Sequence, residues 1–218
     1  MSERGALTRE NMAIAVKKTT LEKLKALGRD GEDWDDILNK AIKMILENAP
    51  QNIDSPTLGS DNAPIKIYEY SDFECYYCGE VLPTIKKILG TYEGKVQVIF
   101  KHFPRTLKHP NALDAHVASM CAQRQGKFWE YHDELFKYQD RLSKELLVSI
   151  GEKLSLDMDA FCSCFHEDEN LIKLLRDKEE GYQAGVRRVP TFIINGVMIV
   201  GDAPFQEFKA VIDAALRD

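Results

Sequence analysis

Cys75-Tyr76-Tyr77-Cys78 places two thiols three residues apart, between an apolar run, Ile65-Lys66-Ile67-Tyr68-Glu69-Tyr70, and a pattern of Val81, Leu82, Ile85, Ile88 and Leu89. The run reads as a buried strand, and the later spacing is that of one helix face. A CxxC pair at such a strand-to-helix junction reads as a thiol–disulfide switch. The first thiol then sits at a helix N-terminus, where unpaired backbone N–H groups and the helix dipole favour an anion. Such surroundings draw a cysteine pKa from about 8.5 into the range of roughly 3.5–7.5. A zinc site is the competing reading, because Cys162-Ser163-Cys164 could complete four thiolates. The CxC spacing is short for tetrahedral zinc, so no metal is expected.

A second constraint lies far downstream. Val189-Pro190-Thr191 leads into Phe192-Ile193-Ile194, then Asn195-Gly196, then Val197-Met198-Ile199-Val200. Two β-rich segments joined by Asn-Gly predict a hairpin with a type I′ turn. Proline before the first of them suggests a cis peptide bond. A closing helix is expected over residues 205–216.

The order strand, CxxC helix, strand, then Val-Pro, hairpin and helix resembles the thioredoxin superfamily, in its DsbA-like branch. The resemblance covers roughly residues 62–218 and rests on separate matches. Asp72-Phe73-Glu74-Cys75 is similar to the lead-in of that active site, and Pro83 stands where the family carries a helix-kinking proline. Gln125-Gly126-Lys127-Phe128-Trp129-Glu130-Tyr131-His132 is similar to its helical-domain signature, and Val189-Pro190 to its cis-proline loop.

The resemblance implies an α/β fold: a thioredoxin fold with a helical insertion at about residues 105–186, the whole domain spanning residues 63–218. It implies a protein disulfide oxidoreductase with no cofactor beyond the redox-active disulfide Cys75–Cys78. Cys75 becomes the exposed nucleophile and Cys78 the resolving thiol. Pro190 lies against the pair, and the backbone of Val189 holds a substrate peptide in an extended pose. Protein thiols or disulfides are the implied substrates, with a further redox partner. Glu69, six residues before Cys75, falls where the superfamily keeps a buried acid that serves the resolving cysteine. Burial would raise its pKa toward the working range; the alternative is a carboxylate facing solvent. The spacers depart from the family, which often carries proline and histidine there. Tyr76 and Tyr77, expected to contact substrate, bring hydroxyls but no positive charge.

Three cysteines remain. Cys121, in Ala118-Ser119-Met120-Cys121-Ala122, reads on its own as a small buried hydrophobe. Similar proteins often carry cysteines at the places of Cys121 and Cys164, which implies a bridge across the helical insert. A Cys121–Cys162 bridge and free thiols are the alternatives. Between the second strand (residues 96–100) and Pro190 the periodicity is helical, with helices expected at 111–125, 128–138, from Ser143, from Asp159 and at 170–183. His102, His109, His116, His132 and His166 do not converge on a metal motif and read as packing or surface residues.

The first 49 residues form a separate unit. Ala13 to Lys17 alternates like a short strand, Thr20 caps a short helix, and Trp34, Ile37, Leu38, Ala41, Ile42 and Ile45 stripe a longer one. This order resembles a ribbon-helix-helix domain, which implies homodimerisation because so short a chain cannot bury a core alone. DNA binding is the alternative role, as part of a redox-responsive regulator. Ala13, Ala15 and Lys17 then face outward, and Lys17 is the candidate DNA contact. The acidic Glu32-Asp33-Trp34-Asp35-Asp36 at the start of the second helix argues against phosphate. Residues 1–50 carry nine basic and nine acidic side chains, so the whole-chain charge of −6 resides in the remainder. Residues 50–62, rich in Pro, Gly, Asn, Asp and Ser, read as a linker. No run is long and apolar enough to span a bilayer, and the start lacks the apolar core of a signal peptide. A cytoplasmic protein, with no membrane partner, is the expectation.

Overall fold

A computed structural model describes residues 43, 44, 46, 47 and 54–217. The chain divides into two units between Gln51 and Asn52, and each stands by itself. In the first, Lys43, Met44, Leu46 and Glu47 are helical. The rest of the expected ribbon-helix-helix segment, Lys17 included, lies outside the described residues.

The second unit is built on a five-stranded sheet. Its strands are β1 (Thr57–Gly59), β2 (Ile65–Ser71), β3 (Val96–His102), β4 (Thr191–Ile194) and β5 (Val197–Val200), in the order β1-β3-β2-β4-β5. β2 and β3 are parallel, with Ile67 opposite Val98 and Glu69 opposite Phe100. A parallel pair needs a crossover. Helices α1 (Tyr76–Glu80) and α2 (Leu82–Thr91) supply it. Pro83 lies in the first turn of α2, where its missing N–H costs nothing, and Val81 caps the break between the two helices. β4 runs antiparallel to β2 and continues into β5. Asn195 and Gly196 turn that hairpin with φ of 48° and 79°, as a type I′ turn demands.

β1 lies within the stretch read as a linker. Its three residues pair antiparallel with β3 and close one edge of the sheet. Three residues among Pro, Gly and Ser leave too short a pattern to read as a strand.

One face of the sheet packs Ile65, Ile67, Val98, Phe192 and Ile194 against Ile85 and Ile88 of α2. Phe208 and Ile212 of the closing helix α8 (Phe205–Ala215) fill the same layer. Between β3 and β4 come α3 (Ala112–Gln123), α4 (Phe128–Lys137), a 3-10 turn (Gln139–Arg141), α5 (Lys144–Lys153), α6 (Met158–Cys164) and α7 (Asp168–Gln183). Ser143 caps α5 by accepting from the Leu146 N–H, and Asp157 caps α6 the same way from Ala160. α7 leaves the insert and returns to the sheet. A Cβ at Gly181 would lie 2.8 Å from the Phe103 ring and 2.9 Å from Tyr70, so glycine permits this approach.

Cys121 of α3 and Cys164 of α6 form a disulfide, with their Cα atoms 5.7 Å apart. Cys162 is a free thiol. With Cys164 bonded, the four-thiolate alternative loses a ligand.

Candidate active site

The strand β2 ends in a carboxylate that organises the next turn. Asp72 is fully buried. Its Oδ1 accepts the N–H of Glu74 at 2.9 Å, and its Oδ2 accepts the N–H of Arg105 at 2.6 Å. The His109 ring stands 2.8 Å from Oδ2. One buried side chain thus ties the loop before Cys75 to the loop after β3. The Asp72 carbonyl also accepts the Cys75 N–H at 3.1 Å.

Cys75 is the N-cap of α1 and Cys78 lies one turn further on. Both are free thiols, and Cys78 has no exposure at all while Cys75 keeps 8%. Both belong to the cluster that joins the sheet to the helical insert, with Phe73, Phe100, Phe128 and Tyr131. The Cys75 thiol points at the carbonyl oxygen of Val189, 3.6 Å away. The Val189–Pro190 peptide bond is cis, and Pro190 is buried. Tyr76 and Tyr77, expected to meet substrate, are 60% and 59% exposed beside the pair.

The two thiols have opposite acidities. The Cys75 pKa is lowered to about 6, chiefly because the Cys78 thiol hydrogen-bonds to its anion. Burial works the other way, and the N–H groups of Cys78 and Tyr77 add to the lowering, while the Asp72 charge opposes it. α1 has only five residues, so the stabilisation is local, from one thiol and two N–H groups, rather than a long helix dipole. Burial pushes the Cys78 thiol well above its usual value, and its place as donor to Cys75 adds to this.

Glu69 is 1% exposed, and its Oε1 has no hydrogen-bond partner among the described residues. Burial raises its pKa to about 7. The alternative of a solvent-facing carboxylate is therefore excluded. The register sets it opposite Phe100, so no cation on β3 holds it ionised. Ser71, two residues on and on the same face, is fully buried. Its hydroxyl favours the anions of both Glu69 and Cys78 without a well-aligned hydrogen bond to either. Sequence reasoning did not assign Ser71 or His109 to the site, and named Asp72 only within the lead-in to Cys75. The period-2 pattern of β2 carries a signal for the first, since positions 69 and 71 share a face.

Three of the other four histidines pack in the core. His102 and His116 are fully buried, with their Nδ1 atoms 2.7 Å apart, and burial holds both well below the usual imidazole range. His132 joins the same aromatic cluster, its ring centroid 5.8 Å from that of Phe73. His166 is exposed.

This arrangement has known counterparts. The thioredoxin family profile matches residues 51–214, and the chain belongs to that family. It shares the DsbA-like form of the fold, with the helical insertion, seen in solved thiol–disulfide oxidoreductases. It resembles alpha-DsbA1 of Wolbachia pipientis with a TM-score of 0.65 and 26% identity, over 78% of this chain and 94% of that one. Oxidised BdbD of Bacillus subtilis has the same fold, with a TM-score of 0.66 and 22% identity over 75% of this chain and 94% of that one. Over 157 residues the chain is also 34% identical to Na(+)/H(+) antiporter NhaA 3 of Salinispora tropica, a match covering 72% of this chain and 24% of that protein. The chain thus spans about a quarter of the length of the curated relatives it matches.

Proposed function

We propose that the protein is a thiol–disulfide oxidoreductase acting on protein thiols or disulfides, with Cys75 as nucleophile and Cys78 as resolving thiol. The observation that carries this reading is the split acidity of the pair beside the Val189 carbonyl: Cys75 ionises near pH 6 while Cys78 keeps its proton.

The Cys75 thiolate attacks one sulfur of a substrate disulfide. A Cys75–substrate disulfide forms, and the other substrate sulfur leaves as a thiolate. Cys78 then gives up its proton and attacks the Cys75 sulfur. A Cys75–Cys78 disulfide forms and the second substrate sulfur departs. Glu69, with a pKa of about 7, can take the Cys78 proton, and Ser71 is placed to assist. Run in reverse, the steps transfer the disulfide to a dithiol substrate, and a second redox partner resets the pair. Val189, half-buried beside the thiol pair, offers its backbone to an extended peptide, with the exposed Tyr76 and Tyr77 nearby. A Cys75 pKa of about 6 lies between the roughly 7 of a reducing thioredoxin-type cysteine and the roughly 3.5 of a strong oxidant.

Insulin reduction coupled to dithiothreitol, and oxidation of a dithiol peptide, test the proposal. Cys75→Ser is expected to abolish both. Cys78→Ser is expected to trap the mixed disulfide, visible as a mass adduct on Cys75. Undiminished turnover by Cys75→Ser would sink the assignment.

A further inference from the structure

The loop leaving β3 and the loop entering β4 enclose a cleft of about 230 Å³. Arg105 and Lys108 line it from the first loop, Lys178 from α7 and Arg187 from the second loop. Phe103 and Tyr182 supply its aromatic walls. The cleft adjoins the thiol pair through two contacts. The Arg105 N–H is bonded to Asp72, three residues before Cys75. The Arg105 guanidinium donates to the Arg187 carbonyl at 3.1 Å, two residues before the Val189 that faces Cys75.

None of the four cations forms a salt bridge among the described residues. Their side-chain hydrogen bonds go to backbone carbonyls: Lys178 to Pro104 at 3.3 Å, and Arg187 to Tyr182 and Val186 at 2.9 and 2.8 Å. Lys178 also stands 5.9 Å from the Phe103 ring centroid, and Arg187 5.7 Å from that of Tyr182. The nearby acid, Asp72, is buried and occupied by Glu74, Arg105 and His109. Burial and the Arg105 charge hold the Lys178 ammonium below its usual range, outweighing the Asp72 charge that favours it. Three chain segments bring these charges together in a protein whose net charge is −6. Like charges so placed repel, and an anion relieves them.

We propose that this cleft receives acidic side chains of a protein substrate, next to the cysteine undergoing exchange. The inference rests on the function proposed above and adds the substrate class. A peptide lying along Val189 continues past Arg188 and Arg187 into the cleft. Guanidinium groups pair with carboxylates in two parallel bonds, and the aromatic walls cover the aliphatic stems. The volume is below the roughly 300–1,000 Å³ of small-molecule sites and suits one or two side chains.

Three disulfide peptides, with Asp-Glu, Gln-Ser or Lys-Lys beside the target cysteine, test it at low salt in the full chain. The acidic peptide is expected to react about tenfold faster than the neutral one in kcat/KM, an advantage that fades with added NaCl. Lys108→Gln with Lys178→Gln removes the advantage, and Lys108→Glu with Lys178→Glu transfers it to the Lys-Lys peptide. The alkylation rate of Cys75 stays unchanged in every variant, which separates this role from damage to the thiol pair. Equal rates for acidic and neutral peptides overturn the inference while leaving the function intact. If no peptide is exchanged, the function fails. Fluorescence anisotropy then decides the cleft alone, using the acidic peptide with serine for cysteine. Binding lost in Lys108→Gln/Lys178→Gln supports it. Absent binding, or tighter binding of a single-stranded oligonucleotide, overturns it.

Discussion

The Cys75 thiol meets the Val189 carbonyl oxygen at 3.6 Å, across 114 residues of sequence. As a thiol, Cys75 donates into that contact. As a thiolate it loses the donor and depends on the Cys78 thiol and the N–H groups of Cys78 and Tyr77. In the function proposed above, ionisation would free the Val189 carbonyl to accept from a substrate backbone at the same moment that the sulfur becomes nucleophilic. The thiol and the carbonyl are thus coupled through one proton.

Alkylation of the reduced protein by iodoacetamide should follow a single ionisation near pH 6 at Cys75, with Cys78 silent over that range. Cys78→Ala removes the principal cause, the hydrogen bond from the Cys78 thiol, and the midpoint should rise. The pH dependence of stability follows from linkage. A cysteine with a folded pKa of about 6 and a usual value of 9.0 contributes stability that is full above 9.0 and lost as pH falls through about 6. Urea midpoints of the reduced protein should exceed those of Cys75→Ser by more at pH 8.5 than at pH 5. An alkylation midpoint above pH 8 would contradict the assignment.

Glu69 acts in the opposite sense. Its folded pKa of about 7 exceeds its usual 4.5, so its contribution is present below 4.5 and lost as pH rises through about 7. Ionising it in place costs on the order of 3 kcal/mol. Glu69→Gln keeps the shape and cannot ionise. The variant should lose less stability than the parent between pH 5 and pH 9. It should also slow the release of substrate from the Cys75 adduct in quenched-flow measurements, with little change in the first attack. An unaltered release rate would leave Glu69 with a structural role only.

These two residues show how much of the site was legible beforehand. The CxxC pair, the Val-Pro hairpin and Glu69 carry signals local in sequence: a spacing, a turn dipeptide, a carboxylate in an apolar strand. The helices of the insert were legible from their period and caps, to within a few residues. β1 was not, because three residues among turn formers are defined by pairing with β3 rather than by pattern. The hub at Asp72 was hidden for another reason. Its partners Arg105 and His109 stand 33 and 37 residues away, and nothing in a single chain reports which carboxylate meets which N–H. The cation cleft is distributed over three segments and was invisible in the same way.

The Cys121–Cys164 disulfide joins α3 to α6 over a separation of 43 residues. In the chain-entropy description, such a closure stabilises by about 4 kcal/mol. Its removal as Cys121→Ala/Cys164→Ala should lower the urea midpoint accordingly, with part of the loss from two small cavities in the helical core. The Cys75 alkylation midpoint should stay near pH 6, since neither sulfur contributes to it. A stability loss below about 1 kcal/mol would mean that the insert is held by its apolar cluster alone.

Asp72→Asn separates the two roles of the hub. The carboxylate accepts from Glu74, Arg105 and His109, while an amide keeps one acceptor oxygen and turns an NH2 group toward a donor. At least one buried bond is lost, which should cost roughly 1–3 kcal/mol in urea unfolding. The same change removes a negative charge that raises the Cys75 pKa, so the alkylation midpoint should fall below that of the parent. Stability and thiol acidity thus move apart: a weaker fold with a more acidic cysteine. If Asp72 only braced the loop, loosening it would disturb the N–H groups at the start of α1, and the midpoint would rise instead. The direction of that one shift decides between charge and scaffold.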